Sequence, residues 1–308
     1  VMKPAQVLNQ GHNSLEYALE RVPGVDVVEN QVNIRGGSGW SYGAGSRVLV
    51  LVDDMPMLTG DAGDAKWDYL PIENCEQIEI LKGASSALYG SSALNGVINF
   101  RTGFARDKPR TRMMLYNGMY GNPADKSWKW WGKQQPGFQG GYLSHAQRFG
   151  QLDVVLGSAW FSEDSYLQGD LNRRGRINLN LRYRSKKIKG LNYGINGNGM
   201  LNKTDMVFAW LNDSDGLYRG YPGAMFFEQQ KMFNLDPFLR YNAGNGVSHN
   251  LTTRVFHTDN YISNIVDTNT VPGRTVNDQS NNGTLYYGEY QLQRKFEKYD
   301  FNFTSGLV

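Results

Sequence analysis

The sequence predicts an antiparallel β-barrel that spans a membrane, preceded by a small α+β domain. Two observations predict the barrel: residues from 111 onward alternate polar with apolar positions, and the connections between these segments are short and long in turn. A third predicts the N-terminal domain, because helical spacing, glycine punctuation and short apolar runs precede residue 104. We therefore place the first domain at 1–104 and the barrel strands at 105–308.

The N-terminal domain is predicted to begin with a helix over 13–24. Its apolar residues recur at helical spacing after a polar start, and Pro23 and Gly24 end it. Extended segments follow at 32–35 and 47–53. A strand over 76–81 alternates around Ile78 and Ile80, and residues 83–90 form a short helical turn between glycines. The last strand covers 97–100, which makes the domain a compact α+β unit.

Composition excludes several classes of function. The net charge of +3 is too small to indicate a nucleic-acid partner. The apolar run 48–52 is far too short for a membrane helix, which needs about 20 residues. Cys75 is the single cysteine, the four histidines are scattered, and no catalytic motif occurs. We therefore predict no enzyme activity, no cofactor and no metal site.

The segment 176–184 is the best example of a barrel strand. Its odd positions from Ile177 to Tyr183 are apolar and predicted to face lipid, whereas its even positions from Arg176 to Arg184 are polar and predicted to line the lumen. Similar segments lie at 152–160, 192–200, 233–241, 250–255, 286–296 and 301–303. Alternation alone also fits a soluble β-sandwich.

The connections favour the membrane barrel over the sandwich. Tight turns at 148–151, 185–190, 242–246 and 297–300 alternate with long polar segments at 121–137, 162–173, 203–229 and 259–283. Outer-membrane barrels place short turns on the periplasmic side and long loops outside. About nine strands follow the first domain, whereas plugged outer-membrane transporters close with about 22. We therefore expect further barrel strands after Val308 in a longer protein.

Motifs in the first domain resemble the plug domain of TonB-dependent outer-membrane receptors. The resemblance rests on Lys82-Gly83, the turn Ala87-Leu-Tyr-Gly90 and the strand Gly96-Val-Ile-Asn99, with 32–37 and 47–56 upstream. Asp54 departs from the family pattern, which more often has glycine there. The resemblance implies a plug inside the lumen of a barrel of about 22 strands. It also implies a location in the outer membrane of a Gram-negative bacterium.

The resemblance also implies roles for particular residues. Arg35 and Lys82 would pair with glutamates on the inner barrel wall, for which Glu289 is a candidate, and these pairs would lock the plug. Two plug loops would point outward and contact a small-molecule ligand; their candidate residues are Trp40, Ser41, Tyr42, Asp61, Asp64, Trp67 and Tyr69. The alternative for the aromatic rings is packing against the barrel wall.

The implied function is energy-coupled import of a scarce nutrient, such as a siderophore-bound iron or cobalamin. The implied partners are TonB, outer-membrane lipid and lipopolysaccharide, for which Trp128, Trp130 and Trp131 suit an interface belt. A surface lipoprotein is a further candidate partner. Alternatives are a glycan or peptide importer, a non-transporting barrel that serves as a structural subunit, and a soluble all-β protein.

Overall fold

A computed structural model describes residues 15, 19–28, 31–36, 47–59, 65–83, 89, 93–214, 216–244, 246–264 and 280–308. The N-terminal domain has a two-stranded sheet and a four-stranded sheet. In the first, β1 (Val25–Val28) and β2 (Gln31–Ile34) are antiparallel. The strands of the second are β3 (Val48–Val52), β4 (Met55–Pro56), β5 (Cys75–Lys82) and β6 (Gly96–Thr102), in the order β4-β3-β6-β5.

The central pair of the four-stranded sheet is parallel, and both outer pairs are antiparallel. Every residue of β3 is buried, which explains why this strand is a continuous apolar run. Two 3-10 turns, Trp67–Tyr69 and Ile72–Asn74, lie between β4 and β5. The predicted strands therefore occur, with slightly different ends. The helical turn predicted over 83–90 lies outside the described residues except for Gly83 and Tyr89.

Nine antiparallel strands follow in chain order as one sheet. They are β7 (Arg110–Met119), β8 (Gly137–Phe149), β9 (Leu152–Asp164), β10 (Leu171–Arg184), β11 (Leu191–Val207), β12 (Met225–Asn242), β13 (Val247–Asn264), β14 (Asn281–Phe296) and β15 (Phe301–Leu307). Consecutive pairing of neighbouring strands makes this sheet a partial barrel. The predicted domain boundary falls in the connection between β6 and β7.

The predicted alternation of β10 is confirmed by its contacts. Ile177 is 69% exposed on the outer face, whereas Asn178 and Asn180 are buried on the inner face. Large apolar side chains are exposed along the other strands too, as at Met113, Leu115 and Leu201. No helix among the described residues is long and apolar enough to cross a membrane.

The predicted bounds of the long loops were wrong because the strands extend further. The loop predicted at 162–173 is reduced to 165–170, since Leu171 and Asn172 pair with Asp164 and Glu163. The loops at 203–229 and 259–283 shorten in the same way. Polar side chains do not end a strand when both of its faces are wet, and hydropathy therefore understates strand length.

The core joins the two parts of the chain. Plug residues such as Tyr69, Ile78 and Phe100 pack in one cluster with Met200, Met232 and Phe256 from the barrel wall. A smaller cluster contains Leu49, Leu51, Ala93 and Val97. The barrel sheet therefore wraps the N-terminal domain, and apolar burial holds them together.

Candidate functional site at the plug–barrel interface

Glu73 forms a buried ion pair between the two parts of the chain. It lies in the turn Ile72–Asn74 and is 2% exposed. Arg176 on β10 donates to both of its carboxylate oxygens, and Asn178 donates from the same strand. Arg112 on β7 donates to the Glu73 carbonyl oxygen at 2.9 Å. The barrel wall therefore satisfies both the carboxylate and the backbone of this residue.

Residues on either side of Glu73 extend this contact. The Arg174 guanidinium is 2.8 Å from the Asp68 carboxylate, and Arg176 also donates to the Asp68 carbonyl oxygen. Asn74 donates to Asn178 and accepts a hydrogen bond from Ser144 at 2.7 Å. The segment 68–74 is thus fixed to β8 and β10.

Gly157 allows this close approach. A Cβ atom at this position would be 2.8 Å from the side-chain oxygen of Asn74 and would also meet Asn178. The glycine on β9 therefore leaves room for the Asn74–Asn178 contact between the plug and the wall.

Tyr69 packs against the wall rather than facing solvent. It is fully buried, and its ring stacks on Phe256 with 5.2 Å between centroids. Its hydroxyl is 2.9 Å from the Asn198 carbonyl oxygen and 2.6 Å from the Asn234 side-chain oxygen. Burial raises the pKa of this phenol well above its usual value, so the ring stays neutral.

Arg254 on β13 holds the turn between β3 and β4. Its guanidinium is 1% exposed and pairs with Asp236, with 2.9 Å between Nε and Oδ1. It also donates to the carbonyl oxygens of Met55 at 3.0 Å and Pro56 at 2.9 Å. A buried cation thereby binds plug backbone directly.

Asp53 closes the same turn from within. Its carboxylate accepts hydrogen bonds from the Thr102 amide and hydroxyl at 2.8 and 2.6 Å and from Asn196 on β11 at 3.1 Å. Burial raises the pKa of this carboxyl group, and its bonds to Thr102 oppose the rise. The residue has a φ of 53°, which aspartate tolerates better than most residues.

A cavity of about 590 Å³ separates the plug from the wall on another side. Its plug face carries Asp54 and Arg101, which form an ion pair, and Arg101 also lies 3.2 Å from Glu79. Its barrel face carries Arg240 and Glu289. The plug therefore contacts the wall along β8–β13, and a polar space separates it from Arg240 on β12, from the first part of β13 and from Glu289 on β14.

The structure places the predicted lock residues as follows. Arg35 is exposed in a left-handed conformation, with a φ of 54°. Lys82 donates to the Pro23 carbonyl oxygen at 2.5 Å, inside the plug. Glu289 accepts a hydrogen bond from Tyr287 at 2.8 Å and lines the cavity opposite Arg101. A lock between these residues stays a prediction.

The predicted ligand residues divide into two groups. Trp40, Ser41, Tyr42, Asp61 and Asp64 lie outside the described residues. Trp67 and Tyr69 are buried at 4% and 0% exposure, which favours the alternative of wall packing for these two rings. Their contact with a ligand stays a prediction.

The outer-loop tryptophans take part in contacts between loops. The Trp130 indole donates to the Tyr166 carbonyl oxygen at 2.7 Å, and Trp128 contacts Tyr218 edge to face. Trp131 is 7% exposed. These rings thus join three connections of the barrel, and a lipid contact stays a prediction.

Glu73, Arg176, Asp236 and Arg254 are not among the site residues that the sequence predicts. A signal existed for the arginines, because both occupy the polar face of an alternating strand, where an unpaired charge would be costly to bury. The partners could not be identified from spacing, since Glu73 and Arg176 are 103 positions apart. Among the described residues no group of three or more His, Cys, Asp and Glu could hold a metal ion.

The fold and the interface together define part of a barrel whose inner face packs against the N-terminal domain of the same chain. Residues 1–97 match the family model described as TonB-dependent Receptor Plug Domain. Residues 1–97 therefore carry a plug domain of the TonB-dependent receptor type, and the strands after it form part of a barrel around it.

Solved structures with the same fold agree with this assignment. One is the ferric-catecholate import receptor Fiu from E. coli K12 in an open form, at 16% identity and a TM-score of 0.69, covering 98% of this chain and 46% of that one. Another is the unliganded ferric citrate transporter FecA, at 16% identity and a TM-score of 0.72. The match covers 93% of this chain and 42% of that one. A third is the RagAB peptide importer in a closed-closed state, at 13% identity and a TM-score of 0.70. The match covers 96% of this chain and 45% of that one. The chain spans less than half the length of these structures.

Proposed function

We propose that the protein imports a scarce nutrient across the outer membrane of a Gram-negative bacterium, with energy delivered by TonB. The observation that carries this proposal is the plug sealed into the lumen by the buried contacts of Glu73 and Arg254. A sealed lumen makes passage depend on a rearrangement of the plug. Import without catalysis also agrees with the fold, which is shared with import receptors and transporters.

The passage is proposed to open on the side of the 590 Å³ cavity. The Arg176–Glu73 ion pair and the hydrogen bonds from Arg254 fix the plug to β10 and β13, whereas the cavity already separates Asp54 and Arg101 from Glu289. Among the contacts of the described residues, moving the plug there breaks fewer buried ones. A lock made by Arg35, Lys82 and Glu289 would have to open for the same rearrangement of the plug. The position of Glu289 in the wall of the cavity supports a role for this residue in the lock.

The ligand is proposed to be a siderophore-bound iron or a cobalamin-like molecule, bound by the outward plug loops with Trp40, Ser41, Tyr42, Asp61, Asp64, Trp67 and Tyr69. The likeness to a ferric-catecholate receptor and a ferric citrate transporter supports this choice. The likeness to a peptide importer favours a second candidate, import of peptides, for which a surface lipoprotein would be a partner. A structural barrel without transport is the third candidate.

Growth of a deletion strain tests import. The strain would be supplied with iron chelates, cobalamin or peptides as the sole source of the nutrient, with and without functional TonB. We expect one supplement to fail in the deletion strain and to be restored by the full-length gene only when TonB is present. Normal growth on every supplement would refute import and leave the structural alternative.

A binding assay tests the ligand loops. Trp40→Ala is expected to weaken the affinity for the identified ligand without changing thermal stability. Trp67→Ala is the informative partner variant, because its ring is buried. If only its stability falls, Trp67 belongs to the packing and not to the ligand site.

A further inference from the structure

A second recess lies at the opposite end of the lumen from the long loops. Its volume is about 310 Å³, and it lies between the connection from β6 to β7 and the inner face of β7–β9. Because β7 begins here and the short β8–β9 turn closes the same end, this is the side that the proposed function assigns to the periplasm.

Four basic residues line this recess. They are Arg106, Lys108, Arg110 and Arg112, and Glu76 is the one acidic residue among its described lining residues. Glu76 pairs with Arg106 at 3.1 Å, so its charge is already engaged. The recess therefore has a clear excess of positive charge, which favours an anion.

The two arginines of β7 face the lumen. Arg112 donates to the Glu73 carbonyl oxygen, which lies inside the barrel, whereas Met113 is 66% exposed on the outer face. Arg110 is two positions from Arg112 and shares its face. Their charges are thus directed into the recess rather than toward lipid.

The connecting segment that carries Arg106 and Lys108 is held in place. The Gly103 amide donates to the Asn74 carbonyl oxygen at 2.8 Å, and Arg148 donates to the Ala105 carbonyl oxygen at 3.1 Å. Ordering this segment beforehand lowers the cost of positioning its cations around a ligand.

Buried polar groups complete the wall. Ser144 and Asn74 are 3% and 2% exposed and contact each other at the recess, while Phe104 contributes an apolar side. The donors of both groups are engaged, since Ser144 donates to Asn74 and Asn74 donates to Asn178. The cations therefore supply the hydrogen bonds that the oxygens of a tetrahedral anion accept.

A neighbouring cluster shows what charge compensation looks like at this end of the barrel. Asp153 is fully buried and accepts hydrogen bonds from Arg148, Arg182 and Arg184 at 2.7 to 3.0 Å. These arginines have a buried carboxylate at their centre. Among the described lining residues, the recess cations have Glu76 as their one carboxylate, and Glu76 is engaged by Arg106.

We propose that this recess binds the oxyanion group of a phosphate-type solute. The periplasmic position of the site rests on the proposed function, whereas binding of the anion itself does not. The site holds the anion between the plug connection and β7.

Binding of radiolabelled inorganic phosphate to the full-length receptor tests the proposal. The receptor would be purified in neutral detergent at low ionic strength, because exposed charges are screened at higher salt. Lys108→Gln/Arg110→Gln is expected to weaken binding about tenfold. The matched control is Lys186→Gln/Lys187→Gln, which removes two exposed charges from the β10–β11 turn at the same end and is expected to leave binding unchanged.

Two results would overturn the proposal: no saturable phosphate binding by the unmodified receptor, or equal weakening by both variant pairs. Both substituted residues of each pair are exposed, so folding is preserved and checked by the melting temperature.

Nanodiscs with phosphatidylglycerol or phosphatidylcholine distinguish the sources of the anion. Weaker phosphate binding in phosphatidylglycerol alone would support the site and assign it to lipid headgroups; equal binding would support it and assign it to a free solute. Because the assay needs no transport, a failed import experiment leaves its outcome readable.

Discussion

The segment 66–74 and the β1–β2 region of the same plug are held in opposite ways. The first contributes Glu73, Tyr69 and Asn74 to contacts with the wall, and these side chains are at most 2% exposed. The second is followed by Arg35, which is exposed. Lys82 donates a hydrogen bond to the Pro23 carbonyl oxygen, just before β1. Among the described residues, the segment 66–74 thus supplies buried polar contacts that hold the plug to the wall.

This asymmetry separates two tasks of the plug. Buried charged pairs are costly to break once one partner is removed, whereas exposed pairs contribute about 0–1 kcal/mol. A plug anchored on one side can rearrange elsewhere without leaving the lumen. Variants on the anchored side should therefore change stability, and variants on the other side should change it little.

The largest effect is expected for Arg254→Met. It leaves Asp236 buried without its cation and removes the donors to Met55 and Pro56, so we expect a loss of about 3–5 kcal/mol in plug stability. Urea titration of the full-length receptor, followed by proteolysis of the plug, measures it. Arg240→Met on the neighbouring strand is the control, since Arg240 is exposed. Equal losses would remove the distinction between anchored and free sides.

Glu73→Gln should have the next largest effect. Glutamine keeps an acceptor for Asn178 but leaves Arg176 without a counter-ion, so we expect a loss of about 2–3 kcal/mol and a higher passive leak of a large antibiotic. Glu76→Gln is the matched control at an exposed position. If the control leaks as much as Glu73→Gln, the anchor lies elsewhere.

Tyr69→Phe sharpens the comparison because it removes one oxygen atom. The hydroxyl lies within hydrogen-bonding distance of acceptors on β11 and β12, and its loss should cost about 1–2 kcal/mol. Ligand affinity is expected to stay the same if the ring only packs against the wall. Tyr286→Phe, on a side chain that is 76% exposed, is the control. A fall in affinity at unchanged stability would instead return Tyr69 to the ligand site.

The barrel strands could be predicted because alternation of period two is a local property of the chain. Even the inward direction of Arg176 and Asn178 followed from it. The loop bounds could not, since polar residues such as Asn172 remain paired in the ladder beyond the apolar band. Plug strands were likewise recognisable from β3 and from the glycines around β5 and β6.

The anchor could not be predicted from the sequence. Glu73 occurs in a short polar segment without periodicity, and its partner is chosen only when the plug docks. Tyr69 illustrates the same limit: an aromatic ring in a loop rich in glycine suits both a ligand and a wall, and only docking places Phe256 beneath it.

The smallest effect is expected from pH at Asp53. Burial raises its native pKa above the usual value of 3.8, so the native carboxyl group holds its proton to a higher pH than the unfolded one. As the pH rises from about 4 through the raised pKa, the unfolded state binds fewer protons than the native state, and stability falls.

Asp53→Asn should lack this fall. The side-chain oxygen of Asn196 has no hydrogen-bond partner among the described residues. If the Asn196 amide rotates so that this oxygen faces position 53, the new side-chain amide at that position can donate to it. Melting temperatures of both receptors between pH 4 and 7 test this, because the curve of the unmodified receptor should decline relative to that of Asp53→Asn. Parallel curves would mean that the hydrogen bonds from Thr102 cancel the burial of the charge.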